Sequence, residues 1–323
     1  MRSQRGRRHT PDDRSPLIDH EGLLDELRPI SFAIAYRMLG TVSEAEDVVQ
    51  EALLRVHRAL NSGEEIVSPS GFVTTVTTRL AINELNTARA RREHYVGDWL
   101  PEPIITDSHA DPAWHAETAD SLSLAVLVLL ESLSPEQRAV LVLHDVFDYG
   151  YPEVAKIVGR SEDNVRQLAA RARRNVTERR PRFQTTREQR DDLARQFFAA
   201  AEQGDLDGLE ALLAHDVEMT GDGGGKVPAQ TRTLRGRSRV ASAVARAIPV
   251  LTGLPDVSWH PVEVNGGAGA LFLDGRQQVI GVMALDIVGD QITGIQGVVN
   301  PDKLAHLGPV ADLNSLLKTA RSG

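Results

Sequence analysis

Arginine, glutamine and asparagine carry the donors and acceptors that fit base edges, and this sequence sets them at helical spacing in two places. In Glu162 to Asn175, EDNVRQLAARARRN, the residues Arg166, Gln167, Arg171 and Arg174 occupy one side of a helix. Val165, Leu168, Ala169, Ala172 and Val176 recur at i, i+3, i+4, i+7 and i+11 and make the opposite stripe apolar. In GFVTTVTTRLAINELNTARARRE, Arg79, Asn83 and Asn86 fall at i, i+4 and i+7 and run into Arg89. The chemistry on offer is hydrogen bonding to bases and neutralisation of phosphates. A helical hairpin whose arginines are merely solvated is the competing interpretation of the same pattern.

The elements that must hold these faces can be read around them. Pro152 to Val158, PEVAKIV, is a short helix with proline in its first turn, Gly159 suits a left-handed cap, and Ser161 caps the helix that follows. Two helices joined by so short a turn form a helix-turn-helix, the geometry that docks a second helix in a major groove. Ser134, Pro135 and Gln137 open another helix with a capping box. Upstream, Leu17 to Gly40 is helical, with Pro29 starting or kinking a helix. Ser43 and Glu46 predict a capping box for a helix that buries Ala45, Val48, Val49, Ala52, Leu53 and Val56. Its outer side carries Asp47, Gln50, Glu51, Arg55 and Arg58. Asn61 to Ser70, with Gly63 and Pro69, is a loop, and VTTVTT, strand-like by composition, belongs by length and apolar stripe to a helix.

Composition bounds the rest. At 323 residues the chain is long for one core, so two or three domains are expected. It has no cysteine, which excludes disulfides and cysteine-based zinc sites and suits a reducing cytosol. No apolar run is long enough for a membrane span. The net charge of -9 speaks against a nucleic-acid partner until its distribution is seen. Arg89, Arg91 and Arg92 cluster, as do the arginines from Arg166 to Arg182, whereas Asp98 to Asp120 holds six carboxylates and no Lys or Arg.

AEDVVQEALLRVHRAL at 45 to 60, GFVTTVTTRLAINEL after it, and LSPEQRAVLVLHDVFDYGYPEVAKIVGRSEDNVRQLAARARR at 133 to 174 resemble the two conserved domains of bacterial extracytoplasmic-function (ECF) sigma factors. Phe72 departs from the tryptophan common in that family. The resemblance implies two all-α domains, regions 2 and 4, that bind core RNA polymerase through its β′ clamp helices and β flap and recognise promoter DNA. It assigns Asp47, Gln50, Glu51 and Arg55 to core polymerase. It assigns the loop from Gly63 to Ser70, with Arg79, Asn83 and Asn86, to the melted -10 element, where a flipped base can sit in a polar pocket. Arg166, Gln167, Ala170, Arg171 and Arg174 go to the -35 element, the small Ala170 leaving room for a thymine methyl. WLPEPIITDSHADPAW reads as an extended linker between the two domains.

The chain runs on for another 141 residues after Arg182. Arg187 to Leu213 and Gly236 to Leu251 are helical in pattern, DVEMTGDGGGKV is extended, and short β-rich runs from Val257 onward read as an antiparallel meander. Helices followed by a curved sheet give an α+β cone. The pattern resembles SnoaL-like domains. Three motifs resemble the ECF subgroup that carries a fused SnoaL-like extension: Trp99, Leu100, Pro101, Glu102 and Pro103; Asp222, Gly223, Gly224, Gly225 and Lys226; and Asn300, Pro301, Asp302, Lys303 and Leu304. That resemblance implies control of the sigma domains in cis, without a separate anti-sigma protein. Only four of the 36 cations are lysine, and two of them lie in these motifs. The expectation is one surface on which WLPEP docks, Trp99 and the prolines giving apolar contact and Glu102 meeting an ammonium.

The division expected is a disordered basic arm at 1–16, region 2 at 17–95, an acidic proline-containing linker at 96–120, region 4 at 121–182, the SnoaL-like domain at 185–305 and a tail at 306–323. A cytoplasmic monomer with no cofactor and no metal is expected. The alternative is a DNA-binding regulator fused to an enzymatic or small-molecule-binding cone, with Asp222, His260, Asp274 and Asp286 as acid/base candidates. No nucleophile, base and orienter set is legible among them.

Overall fold

The computed structural model describes residues 20–62, 66–92, 95–106, 123–177, 185–254 and 256–322. The basic arm, Gly63, the acidic stretch from 107 to 122 and the arginines beyond Thr177 up to Arg182 lie outside the described residues.

Region 2 is three long helices, α1 (His20–Leu39, with Pro29 inside it), α2 (Val42–Asn61) and α3 (Pro69–Arg92). The VTTVTT run is helical, its Val73, Thr74, Thr77 and Thr78 buried. The start of α2 differs from expectation. Thr41, not Ser43, precedes it, and the Thr41 hydroxyl donates to Glu44 Oε2 at 2.7 Å. Two overlapping S/T-x-x-E patterns exist in TVSEAE, and the earlier one sets the boundary. Glu46, freed from that role, takes Arg28 at 2.7 Å.

Region 4 comprises α4 (Leu124–Glu131), α5 (Pro135–Leu141) running into a π turn at Val142–Val146, α6 (Tyr151–Val158) and α7 (Glu162–Thr177). The Ser134–Gln137 capping box forms in both directions, Gly159 adopts φ 68° and ψ 39°, and the Ser161 hydroxyl accepts from the Asn164 N–H.

The cone follows: α8 (Arg187–Gln203), α9 (Leu206–Leu212), β2 (Leu213–Asp222), β3 (Leu234–Arg235), α10 (Arg237–Thr252), then β4 (Ser258–Val264), β5 (Gly267–Leu273), β6 (Val279–Val288) and β7 (Gln291–Val298). β4 to β7 form the antiparallel meander expected, but the sheet is mixed, because β2 pairs with β7 in parallel. Helix α10 and the first three strands of the meander make the long crossover that a parallel pair requires. Two further corrections concern segments set outside the cone. Ile105–Thr106 of the linker forms β1, an edge strand on β4, so the sheet order is β1-β4-β5-β6-β7-β2-β3. The stretch 306–323 is not a loose tail either. Val310 bridges Val279, and α12 (Leu313–Ser322), after the short α11 (Pro301–Leu304), packs Leu313, Leu316 and Leu317 on the cone.

One face of the sheet is closed by Phe197, Phe198, Val240, Val244 and Ile248 from α8 and α10. The other face shares a core with both sigma regions: Val282, Ala284 and Val298 join Ile34, Leu39 and Leu85 of region 2 and Leu124, Leu127 and Leu130 of region 4. Helix α4, LAVLVLLE, has no charge before Glu131 and so has no face suited to water. Placed between the rest of region 4 and the sheet, it buries on several sides. Leu127→Ala is expected to lower stability by about 2–5 kcal/mol, the range for a leucine deleted from a packed core, in urea unfolding. Val250→Ala, at an exposed site, should stay within about 0.5 kcal/mol.

Candidate functional site

The face of α7 expected to read bases is open. Arg166, Gln167, Ala170, Arg171 and Arg174 are all exposed, while Val165, Ala169, Ala172 and Val176 are buried beneath them. Arg166 is steadied by Glu162 at 2.5 Å and by the Tyr151 ring, 4.6 Å from the guanidinium carbon. Arg173 points away from this face and binds Asp145 and the Tyr151 hydroxyl. On α2, Asp47, Gln50 and Arg55 are exposed, Glu51 is half-buried, and Arg55 pairs with Glu51 at 2.7 Å.

The α3 face is only partly free. Ser70, Asn83 and Asn86 are exposed. Arg79, although exposed, donates Nε to the Ile157 carbonyl (2.8 Å) and Nη2 to the Lys156 carbonyl (2.9 Å), both at the end of α6. Its guanidinium therefore satisfies the orphan carbonyls of the first helix of the helix-turn-helix. The same seam holds the Thr74 hydroxyl against the Tyr149 hydroxyl at 3.0 Å, and Arg37 over the Phe147 ring at 5.3 Å. Buried Arg138 donates to the Met38 carbonyl at 2.6 Å and pairs with Glu131 at 2.7 Å. Regions 2 and 4 are thus clasped to each other.

The linker from Tyr95 to Thr106 touches two bodies at once. On the cone side, Asp222, at the end of β2 and 1 % exposed, gathers four donors. These are the Tyr95 hydroxyl (2.5 Å), the Leu100 N–H (2.9 Å), the Gly224 N–H (3.0 Å) and the Lys303 ammonium (2.7 Å). Burial, and then the Asp222 carboxylate beside it, push the Tyr95 phenol up, which keeps it a donor. Lys303 also donates to the Leu100 carbonyl and lies over the rings of Trp99 (4.1 Å) and Tyr95 (4.9 Å). Asn300 Nδ2 donates to the Tyr95 hydroxyl at 2.7 Å. Gly224, at φ 60°, lies so close to Asn300 that a side chain has no room there.

On the region 2 side, Glu102 is buried and its carboxylate accepts the Val42 N–H at 2.7 Å, at the start of α2. That replaces the ammonium expected for it. Burial pushes the Glu102 carboxyl up, while the Val42 N–H and the nearby His306 pull it back. A carboxylate at a helix N-terminus meets both orphan N–H groups and the favourable end of the dipole. Trp99 lies across Gly40, where a Cβ would be 2.8 Å from the ring, and Gly40 holds φ 73°. Lys226 does not reach the linker with its ammonium, which pairs with Asp302 (2.5 Å) within the cone, more than half exposed.

Two residues at this junction carried no signal that singled them out. Fully buried Asn265, at φ 52° in the β4–β5 turn, accepts the Ile104 N–H (2.9 Å) and donates to the Tyr36 hydroxyl (2.8 Å), which in turn donates to the Glu102 carbonyl (2.6 Å). Its Asn-Gly dipeptide marks a hairpin turn but not the partners that the turn meets. His306, in the stretch read as tail, bonds the Pro103 carbonyl at 2.8 Å.

The acid/base candidates of the cone have separate partners. His260 is exposed, Asp274 accepts the Arg276 and Gln278 N–H groups of a turn, and Asp286 accepts from Gln296 Nε2 at 2.6 Å. An open cavity of about 400 Å3 lies between Val96 and Gly97 of the linker and Lys226, Pro228 and Gln230 of the cone.

Lys303→Met leaves the Asp222 carboxylate buried without its cation, and is expected to cost about 3–5 kcal/mol in urea unfolding. Lys226→Met breaks an exposed pair and should cost under about 1 kcal/mol. Burial raises the Asp286 carboxyl from 3.8 to about 6. The folded state therefore holds that proton more tightly, a contribution complete below about pH 4 and lost as pH rises through about 6. Asp286→Asn is expected to stabilise the fold at neutral pH and to leave its stability near pH 4 unchanged, by the same unfolding assay.

Comparison with known proteins gives this architecture a family. Residues 23–91 match Sigma-70 region 2 and residues 123–176 match Sigma-70, region 4. The chain is 37% identical over 292 residues to the ECF RNA polymerase sigma factor SigJ of Mycobacterium tuberculosis, covering 86% of this chain and 91% of that one. It is 32% identical over 283 residues to the probable ECF RNA polymerase sigma factor SigI of the same organism, covering 85% and 91%. Among solved structures it is similar to crystalline M. tuberculosis SigJ, with a TM-score of 0.70, 34% identity and coverage of 88% of this chain and 98% of that one. With both sigma regions in order and relatives matched across the cone as well, the chain belongs to the ECF RNA polymerase sigma factors.

Proposed function

We propose that this sigma factor directs promoter-specific initiation as a subunit of RNA polymerase and that its SnoaL-like cone governs it in cis. Asp47, Gln50, Glu51 and Arg55 of α2 present one exposed side to the β′ clamp helices, and region 4 meets the β flap. Arg166, Gln167, Ala170, Arg171 and Arg174 read the -35 element, phosphates and base edges together. Ser70, Arg79, Asn83 and Asn86, with Gly63, engage the -10 strand. The protein works in the cytoplasm as a monomer until it meets core polymerase, and needs no cofactor.

The observation that carries the cis control is the linker junction. Residues 95 to 106 are bonded to the cone through Asp222, Lys303 and Asn265 and to region 2 through Gly40, Val42 and Tyr36. While the linker is docked, regions 2 and 4 stay clasped and Arg79 is occupied by the carbonyls of α6. Undocking frees the two regions to part, frees Arg79, and lets two promoter boxes be gripped at once. The cone so takes the place of a separate anti-sigma protein. Its acidic residues serve structure and not catalysis, since Asp222 is held in an ion pair and Asp274 in a turn.

Run-off transcription with purified core polymerase tests both parts. The full chain is expected to yield a promoter-dependent transcript. Arg166→Ala and Arg171→Ala should each weaken promoter binding by about 1–3 kcal/mol, or roughly 5- to 150-fold. Trp99→Ala, which removes the ring from Gly40 and Lys303, should raise transcript yield. No promoter-dependent product would overturn the sigma assignment of these faces, and unchanged yield from Trp99→Ala would overturn the control by the cone.

A further inference from the structure

Between Asp222 and Asp256 the sequence has no acidic residue, and yet Lys226, Arg232, Arg235, Arg237, Arg239 and Arg246 all fall there. In a chain with 45 acidic residues and net charge -9, a gap of 33 residues without one carboxylate concentrates positive charge at one end of the cone. The structure gathers that charge around the start of α10. Arg232 and Arg235 lie on the approach to it and on β3, Arg237 and Arg239 in its first turn, and Arg246 two turns beyond Arg239 on the same side. Arg232, Arg235, Arg239 and Arg246 are exposed.

Elsewhere on the surface Arg28, Arg55, Arg160, Arg166, Arg173, Arg187 and Arg195 each take a carboxylate, whereas Arg58, Arg190 and Arg276 stand singly and not in a cluster. Among the described residues, Arg232, Arg237, Arg239 and Arg246 have no acidic partner, and Arg235 has only Glu218 at 3.2 Å in a pair at least half exposed. Arg171 and Arg174, on the face read as meeting the -35 element, are likewise without one. The N-terminus of α10 adds to the field, since Gly236 offers no side-chain cap and the first turn holds no acid.

We propose that this arginine-lined end of the cone is a third contact with promoter DNA, made to the phosphate backbone and blind to sequence. The inference rests on the promoter-binding function proposed above. A duplex fits the surface better than an acidic protein does. Protein interfaces need a desolvated apolar or aromatic centre, and no large apolar side chain is exposed between Arg232 and Arg246. Phosphate contacts need only cations and free N–H groups, which are what the surface supplies. It also adjoins the linker between the two reading regions. Thr231 lies against Gly97, and the Thr233 hydroxyl donates to Asp98 at 2.9 Å.

The test is promoter binding by the reconstituted holoenzyme, followed by fluorescence anisotropy from about 50 to 200 mM salt. A variant combining Arg232→Gln, Arg235→Gln and Arg239→Gln should bind more weakly throughout. Its plot of log affinity against log salt should be shallower by about 0.9 for each phosphate that is no longer neutralised, roughly two to three units in all. Preference for promoter over scrambled DNA should persist, and the same three positions changed to lysine should restore most of the slope. An unchanged slope overturns the proposal. So does a failure of the variant to bind core polymerase in the absence of DNA, which would assign the surface to a protein partner. If wild-type holoenzyme itself binds no promoter, the promoter-binding reading fails first and the proposal falls with it, an outcome visible before any variant is compared.

Discussion

A single buried ammonium holds this structure in its arrangement. Lys303 sits where three motifs from distant parts of the chain converge, and its contacts reach both of the others: Asp222 from the glycine-rich turn, and the Leu100 carbonyl and the Trp99 ring from the linker. A buried charge is tolerated only when its surroundings supply the lost solvation in full. Here a carboxylate, a carbonyl and two aromatic faces do so, and all of them must be in place together. The linker cannot leave without taking a carbonyl and two aromatic faces from the charge, so its docking is close to all-or-none.

Much of this was written in the sequence, because local rules decide it. Caps at Ser134, Gly159 and Ser161, the apolar stripes of α2 and α7, and the punctuation of the β4–β7 meander follow from spacing and turn chemistry alone. The faces of α2 and α7 were legible for the same reason, since a helix with one apolar stripe leaves no doubt about which side is outside. The three linker and cone motifs could be grouped, but their pairing could not. Glu102 finds the start of α2 and not a lysine, because a helix end with unpaired N–H groups lies nearer than any ammonium free to take it. Lys226 and Lys303 look alike in sequence, and burial alone separates a central ion pair from a peripheral one.

What stayed hidden depends on distance along the chain. Arg79 has the spacing of a nucleic-acid-contacting side chain and is spent on carbonyls 77 and 78 residues away. Asn265 reads as an ordinary hairpin residue and is a junction between cone, linker and region 2. Strand β1, two residues long, has no pattern of its own and exists because β4 offers an unpaired edge. The parallel pairing of β2 with β7 is equally invisible to short-range periodicity.

The all-apolar helix α4 would set a condition on how long any opened form of the protein lasts. Drawing region 4 off the sheet bares Leu124, Leu127 and Leu130 on one side and Val282, Ala284 and Val298 on the other, a greasy strip with no polar side to turn outward. Water drives such strips to find cover, and a second open molecule supplies it as readily as the first. An unaccompanied open chain is therefore prone to clump or to snap shut, and its lifetime is set by how soon another surface shields the strip.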